Sequence, residues 1–200
     1  MISSYIKHSV MIVLLAGLAA CQSSSSSSNF GEQSKQVNIC SGFGCIYQQS
    51  LVFTASDMKY FRVVLGKSIK SPMAERAAIS KLVAWKEELA QRRLHMRQDT
   101  KLSYQRDAGI RGQMDCVDES NNTLAFLKFL ESEGRLKFHK PIRIGSRGFL
   151  FDGRYPHKTA VIIDQNKTKW AIDSWKKDGG LPPQIVRYSE WKVERGSEYR

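Results

Sequence analysis

The chain has 200 residues and a formal net charge of +12, from 31 Lys and Arg against 19 Asp and Glu. That length suits one domain and is enough to bury a core without metal staples. The charge favours anionic contacts such as lipid head groups or acidic polymers, although most of it, between Arg62 and Arg111, suits the solvated face of a helix better than a dedicated patch.

Lys7 and His8 precede an apolar run from Val10 to Ala20. The run is too short to span a bilayer permanently and has the layout of a secretory signal. It stops at Cys21, and Leu18-Ala19-Ala20-Cys21 resembles the bacterial lipobox, in which cleavage leaves a diacylated cysteine. An ordinary signal peptide with a chance cysteine is the plainer alternative. The expected organisation is a lipoprotein signal peptide over residues 1–20, lipidated Cys21 and a Ser-rich tether over 21–36, and one folded domain over 37–200. Ser23 to Ser28 offer nothing to a core, and such a tether reaches on the order of 15–25 Å. Gln22, where Asp would retain the protein, resembles the outer-membrane sorting rule of Gram-negative bacteria. The expectation is therefore an outer-membrane lipoprotein facing the periplasm, with no nucleic-acid partner.

Cys40 and Cys45 flank Ser41-Gly42-Phe43-Gly44. The glycines permit a tight turn, and an oxidising compartment makes a disulfide the leading expectation. A two-cysteine zinc half-site is the weaker reading, because no neighbouring Cys or His completes four ligands. With Cys21 lipidated, Cys116 is left unpaired, and an odd cysteine in an exported chain invites a catalytic explanation.

Ile46 to Thr54 reads as extended. Thr54 and Ser56 are candidate caps for a short helix to about Gly66. Ser71-Pro72 opens a longer helix to about Arg97, with Met73, Ala77, Leu82, Trp85 and Leu89 as its apolar stripe. Residues 98–113 are polar and read as a loop entering the site. A third helix spans about Cys116 to Glu131, its inward face formed by Leu124, Leu127 and Leu130 with Phe126 beside them. Gly134 stops it. Leu136–Ile144, Phe149–Phe151, His157–Ile163 and Trp170–Trp175 then read as strands, with Asp164-Gln165-Asn166-Lys167 as a hairpin and a short last strand near Ile185–Tyr188. No crossover helix separates them, so the sheet is expected to be antiparallel and the class α+β, with N-terminal helices packed on the sheet.

Cys116, His157 and Asp173 fall at chemically suggestive places in this order. A helix N-terminus and an imidazolium lower a thiol's pKa and supply the thiolate that attacks. His157 near the start of one strand and Asp173 near the end of its hairpin partner are matched across the turn, so the acid can fix the ring's tautomer.

Asp115-Cys116, Pro156-His157-Lys158-Thr159-Ala160-Val161 and Trp170-Ala171-Ile172-Asp173-Ser174-Trp175 resemble the three motif blocks of the transglutaminase-like, papain-like superfamily of cysteine peptidases. The Asp-Cys pair is also similar to that of bacterial cell-wall endopeptidases of the same broad fold. The likeness covers about residues 110–180. It implies a transglutaminase-like domain with a Cys116-His157-Asp173 triad that cleaves or transfers peptide or isopeptide amides through an acyl-thioester. No cofactor or metal is expected. The implied partners are the membrane, through the N-terminal lipid, and a peptide or cell-envelope substrate; the expected state is a monomer. Papain-type enzymes carry an oxyanion-hole glutamine several residues before the cysteine, whereas Gln113 is only three before it. Gln113 is thus one oxyanion candidate, and the Cys116 backbone N–H is the other.

Structural roles compete with each of these. Cys116 could be an inert buried thiol, His157 a strand-start histidine with a structural hydrogen bond, and Asp173 a turn cap or a lysine partner. His139 and His95 are alternative bases. The rival function is a non-catalytic lipoprotein that binds the envelope through its basic surface; a purely structural envelope protein is the third.

Overall fold

The computed structural model describes residues 35–103, 105–149 and 156–194. The expected signal segment, Cys21, most of the expected Ser-rich tether and residues 150–151 of an expected strand lie outside them. The class is α+β, with antiparallel sheets. Among the described residues no helix is long and apolar enough to cross a membrane.

An N-terminal hairpin pairs β1 (Gln36–Ser41) with β2 (Tyr47–Val52). β2 matches its expected position, whereas β1 was not foreseen. Helix α1 (Ala55–Val64) starts at a capping box: Thr54 Oγ1 accepts from Asp57 N, and Asp57 Oδ2 accepts from Thr54 N at 2.7 Å. Ser71 Oγ caps α2 (Pro72–Arg93) by accepting from Ala74 N at 3.1 Å, as Ser71-Pro72 predicts.

The buried face of α2 departs from expectation. Met73 and Ala77 face solvent, and the inward stripe is Ala78, Ile79, Leu82, Val83, Leu89 and Ala90. Three charged residues are also inside: Glu75, Lys86 and Glu87. Glu75 clamps the entry to the main sheet, accepting from the backbone N–H groups of Lys137 (2.6 Å), Phe138 (2.9 Å) and His139 (2.8 Å) and pairing with His139 Nδ1 at 2.8 Å. Burial pushes the Glu75 carboxyl up, but these hydrogen bonds outweigh it and hold the group below its ordinary value.

Helix α3 (Cys116–Ser132) packs against β1 and against the main sheet. Its inward residues are Phe126, Leu127 and Leu130; Leu124 is only partly buried. Phe126 joins Phe53, Phe61 and Phe129 in an aromatic group with ring centroids 4.9–6.3 Å apart.

The main sheet runs β3 (His139–Arg147), β4 (His157–Asp164), β5 (Lys169–Asp173) and β6 (Gln184–Arg187) in that spatial order, every pair antiparallel. β3 begins and ends three residues later than expected, because the Glu75 clamp, not the apolar pattern, sets its start. Phe149 falls in irregular backbone. A six-residue helix, α4 (Tyr188–Val193), follows β6 and buries Trp191 completely. It too was not foreseen.

Candidate active site

Cys116 is the first residue of α3, as Asp115-Cys116 predicts. Asp115 is the N-cap, its Oδ1 accepting from Val117 N (3.0 Å) and Asp118 N (2.8 Å). The cap leaves the Cys116 N–H as a candidate oxyanion donor. The thiol is 8% exposed and is the one free cysteine among the described residues.

His157 opens β4 and Asp173 closes β5. The two side chains meet with His157 Nε2 2.7 Å from Asp173 Oδ2, both fully buried. The same carboxylate oxygen accepts from Trp191 Nε1 at 2.8 Å. The rings of Trp175 and Trp191 flank the imidazole, with centroids 4.9 and 5.4 Å away. Asp173 therefore fixes Nε2 as the protonated nitrogen and leaves the Nδ1 lone pair as the base. Nδ1 is buried and has no hydrogen-bond partner.

Cys116 lies beside this pair. The backbone N–H of Lys158, the residue directly after His157, is near enough to act on the thiol and favours its ionised form. Cys116 and His157 line one cavity of about 630 Å³, with Phe43, Gln105, Arg147, Lys158 and Trp175 among its walls. The loop from 98 to 113 enters the site as expected, contributing Ser103 and Gln105.

The expected depression of the thiol pKa is not found. Burial pushes Cys116 up to about 11, and the nearby Asp115 and Asp173 carboxylates add to the rise against the Lys158 N–H. A value that high favours the neutral thiol, from which a base would have to take the proton before the sulfur could act as a nucleophile.

Gln113 is not placed as an oxyanion donor. Its Oε1 accepts from Thr100 Oγ1 (2.8 Å) and its Nε2 donates to Gln98 O (2.6 Å), which braces the loop, and it does not line the cavity. The glutamine on the cavity wall is Gln105, eleven positions before the cysteine; nothing in the local pattern marks it. The alternative bases are elsewhere: His139 is bound to Glu75, and His95 is exposed.

Asp118 and Glu119 point away from the sulfur. Asp118 grips the disulfide loop, its carboxylate accepting from Phe43 N (2.8 Å) and Cys45 N (2.6 Å). Cys40 and Cys45 are disulfide-bonded, so they offer no zinc half-site. Residues 42–45 all have positive φ, and Phe43 lines the cavity. Glu119 Oε2 accepts from Ser174 Oγ at 2.7 Å, next to Asp173.

Behind the site lie three buried carboxyls. Asp99 Oδ1 accepts from Met114 N at 2.6 Å, two residues before the cysteine, and Glu87 Oε2 accepts from Gly180 N at 3.0 Å. Burial and the adjacent Glu119 push Asp99 up to about 9 and Glu87 up to about 8, so both stay protonated at neutral pH. The cluster ties the residues before Cys116 to α3 and to the strand end that carries Asp173.

No family model, curated protein or solved structure matches this chain.

Proposed function

We propose that this protein is a thiol hydrolase or acyltransferase of transglutaminase-like, papain-like fold, acting on peptide or isopeptide amides. The observation that carries the reading is the buried His157–Asp173 pair, with Nδ1 unpartnered, in the same cavity as a cysteine at a helix N-terminus. Cys116 is the nucleophile. His157 Nδ1 takes the thiol proton as the sulfur attacks the amide carbonyl, then returns it to the leaving amine as the C–N bond breaks. The Cys116 N–H, aided by Gln105, stabilises the oxyanion. Water or a second amine then attacks the thioester and releases the sulfur, which takes back its proton. The chain acts as a lipoprotein, attached through Cys21 to the outer membrane and facing the periplasm.

The test is incubation with a tryptic digest, with and without added cadaverine, read by mass spectrometry. New termini indicate hydrolysis and cadaverine adducts indicate transfer. Products that persist unchanged in the Cys116→Ser protein count against the reading.

One observation favours a second reading. Burial raises the thiol pKa, and a sulfur that never ionises suits a non-catalytic envelope-binding protein on the same scaffold. Steeply salt-dependent binding to anionic vesicles, unaffected by Cys116→Ser and without turnover, distinguishes it.

A further inference from the structure

The main sheet has two faces. Ala160, Ile162 and Ile172 belong to the core, so strand alternation sends Val161, Ile163 and Ala171 to the other side. Helix α4 covers one end of that second face. A Cβ at Gly145 would lie 2.5 Å from the Tyr188 ring, and the Arg143 guanidinium sits 5.5 Å from the centroid of that ring. Beyond Tyr188 the face is open. The register sets Lys140 of β3 and Lys169 of β5 on either side of Ile163 of β4. Both lysines are exposed, and Ile163 is half-buried. Lys167, in the turn between β4 and β5, lines a recess of about 570 Å³ together with Lys140 and Ile163.

The charge at this end is one-sided. Lys140, Arg143, Lys167 and Lys169 are all exposed, and the three lysine ammonium groups make no ion pair or hydrogen bond among the described residues. The acid that the strands direct to this face, Asp173, is buried with His157 at the far end. Two carboxylates border the recess, Asp164 and Glu131. Asp164 is fully engaged, accepting from Asn166 N, Thr168 N and Trp170 Nε1 at 2.9–3.0 Å. Ile142, at the bulge beside Arg143, adds a second exposed apolar side chain. Cations that surround apolar side chains suit an anionic surface with an apolar interior.

We propose that this end of the sheet docks on a bilayer that contains anionic phospholipid. The four cations meet headgroup phosphates, each contributing about fivefold in affinity. Ile142 and Ile163 supply a shallow apolar contact that a soluble acidic polymer does not offer. β4 leads from this end to His157, and its eight residues span roughly 20–25 Å, so docking here leaves the cavity of Cys116 uncovered. The surface is independent of the catalytic reading, because a docked domain is compatible with an active or an inert cysteine.

The test is lysine footprinting of the full-length wild-type protein, so no variant has to fold. Acetylation rates by an N-hydroxysuccinimide ester are read by mass spectrometry, residue by residue. They are compared on phosphatidylcholine vesicles, with and without about 30% phosphatidylglycerol, and in soluble polyglutamate. Neutral vesicles supply the pattern of any attachment through the N-terminus alone. On anionic vesicles Lys140, Lys167 and Lys169 are expected to react about fivefold or more slowly than on neutral ones, whereas the exposed Lys59, Lys101 and Lys177, which lie off this face, keep their rates. Sodium chloride at about 0.5 M should remove the difference. Equal protection of all six lysines, no protection of the first three, or protection that persists in the salt overturns the proposal. The same footprint in polyglutamate without vesicles overturns the bilayer as the occupant.

Discussion

Asp173 Oδ2 accepts two hydrogen bonds, from His157 Nε2 at 2.7 Å and from Trp191 Nε1 at 2.8 Å. The indole holds the carboxylate, and the carboxylate holds the imidazole. Trp191 is thus a positioning residue on a helix that follows the sheet. Trp191→Phe keeps most of the packing and removes the donor. Its expected effect is about a tenfold slower modification of Cys116 by a dipeptidyl vinyl sulfone, at nearly unchanged probe affinity, and Asp173→Asn is expected to be slower still. Rates plotted against pH should show a displaced inflection in both variants, which loss of packing alone would not produce.

The thiol is neutral in the resting protein. With Cys116 pushed up to about 11, iodoacetamide, which makes no peptide-like contacts, should label it slowly at pH 6–7 and faster through the alkaline range. The raised value adds stability that is present below the thiol's ordinary pKa and is lost as pH rises through 11. Rapid labelling at pH 5–6 would instead reveal a standing thiolate–imidazolium pair.

The carboxyls behind the site set an alkaline limit on stability. Asp99 and Glu87 titrate near 9 and 8 when folded and near 4 when unfolded. Their contribution is full below the unfolded value and is lost as pH climbs through the folded ones. Thermal melts should fall between pH 6 and 9, and Asp99→Asn, which cannot ionise, should flatten that fall. A wild-type melting temperature that rises over the same range would refute this protonation pattern.

Glu75 sets the limit on the acid side. It is held below its ordinary value, so its contribution is present above the unfolded pKa and is lost as pH falls through the folded one. Glu75→Ala strands three backbone N–H groups and His139, and is expected to cost about 3 kcal/mol or more by denaturant titration. A cost below about 1 kcal/mol would mean that water replaces the clamp.

Much of this architecture was legible because it is local. Ser71-Pro72 and Asp115-Cys116 carry helix starts in adjacent residues, and the turn Asp164-Gln165-Asn166-Lys167 fixes the pairing of β4 and β5, hence the facing of His157 and Asp173. What escaped is set by contacts distant in sequence. Polar residues alternate in β1, Gln36 and Asn38 among them, so Val37 and Ile39 alone carry its apolar signal. α4 is too short to show a helical period. Trp191 reaches Asp173 across 18 residues, and Arg147 is tied to Trp191 across 44. Gln113 sits in the right part of the chain, but the Gln98 and Thr100 contacts that turn it away from the cavity are tertiary. The buried charges of α2 look like a solvated face until Glu87 and Gly180 are brought together.

In the catalytic reading, His157 removes the proton that lets Cys116 attack. Intact-mass kinetics with the dipeptidyl vinyl sulfone at pH 7.5, on wild-type and His157→Ala proteins of equal thermal stability, test it directly. One adduct is expected, located on Cys116, forming at least about a hundredfold faster in the wild type. Equal rates in the two proteins, or an adduct on another residue, would contradict it.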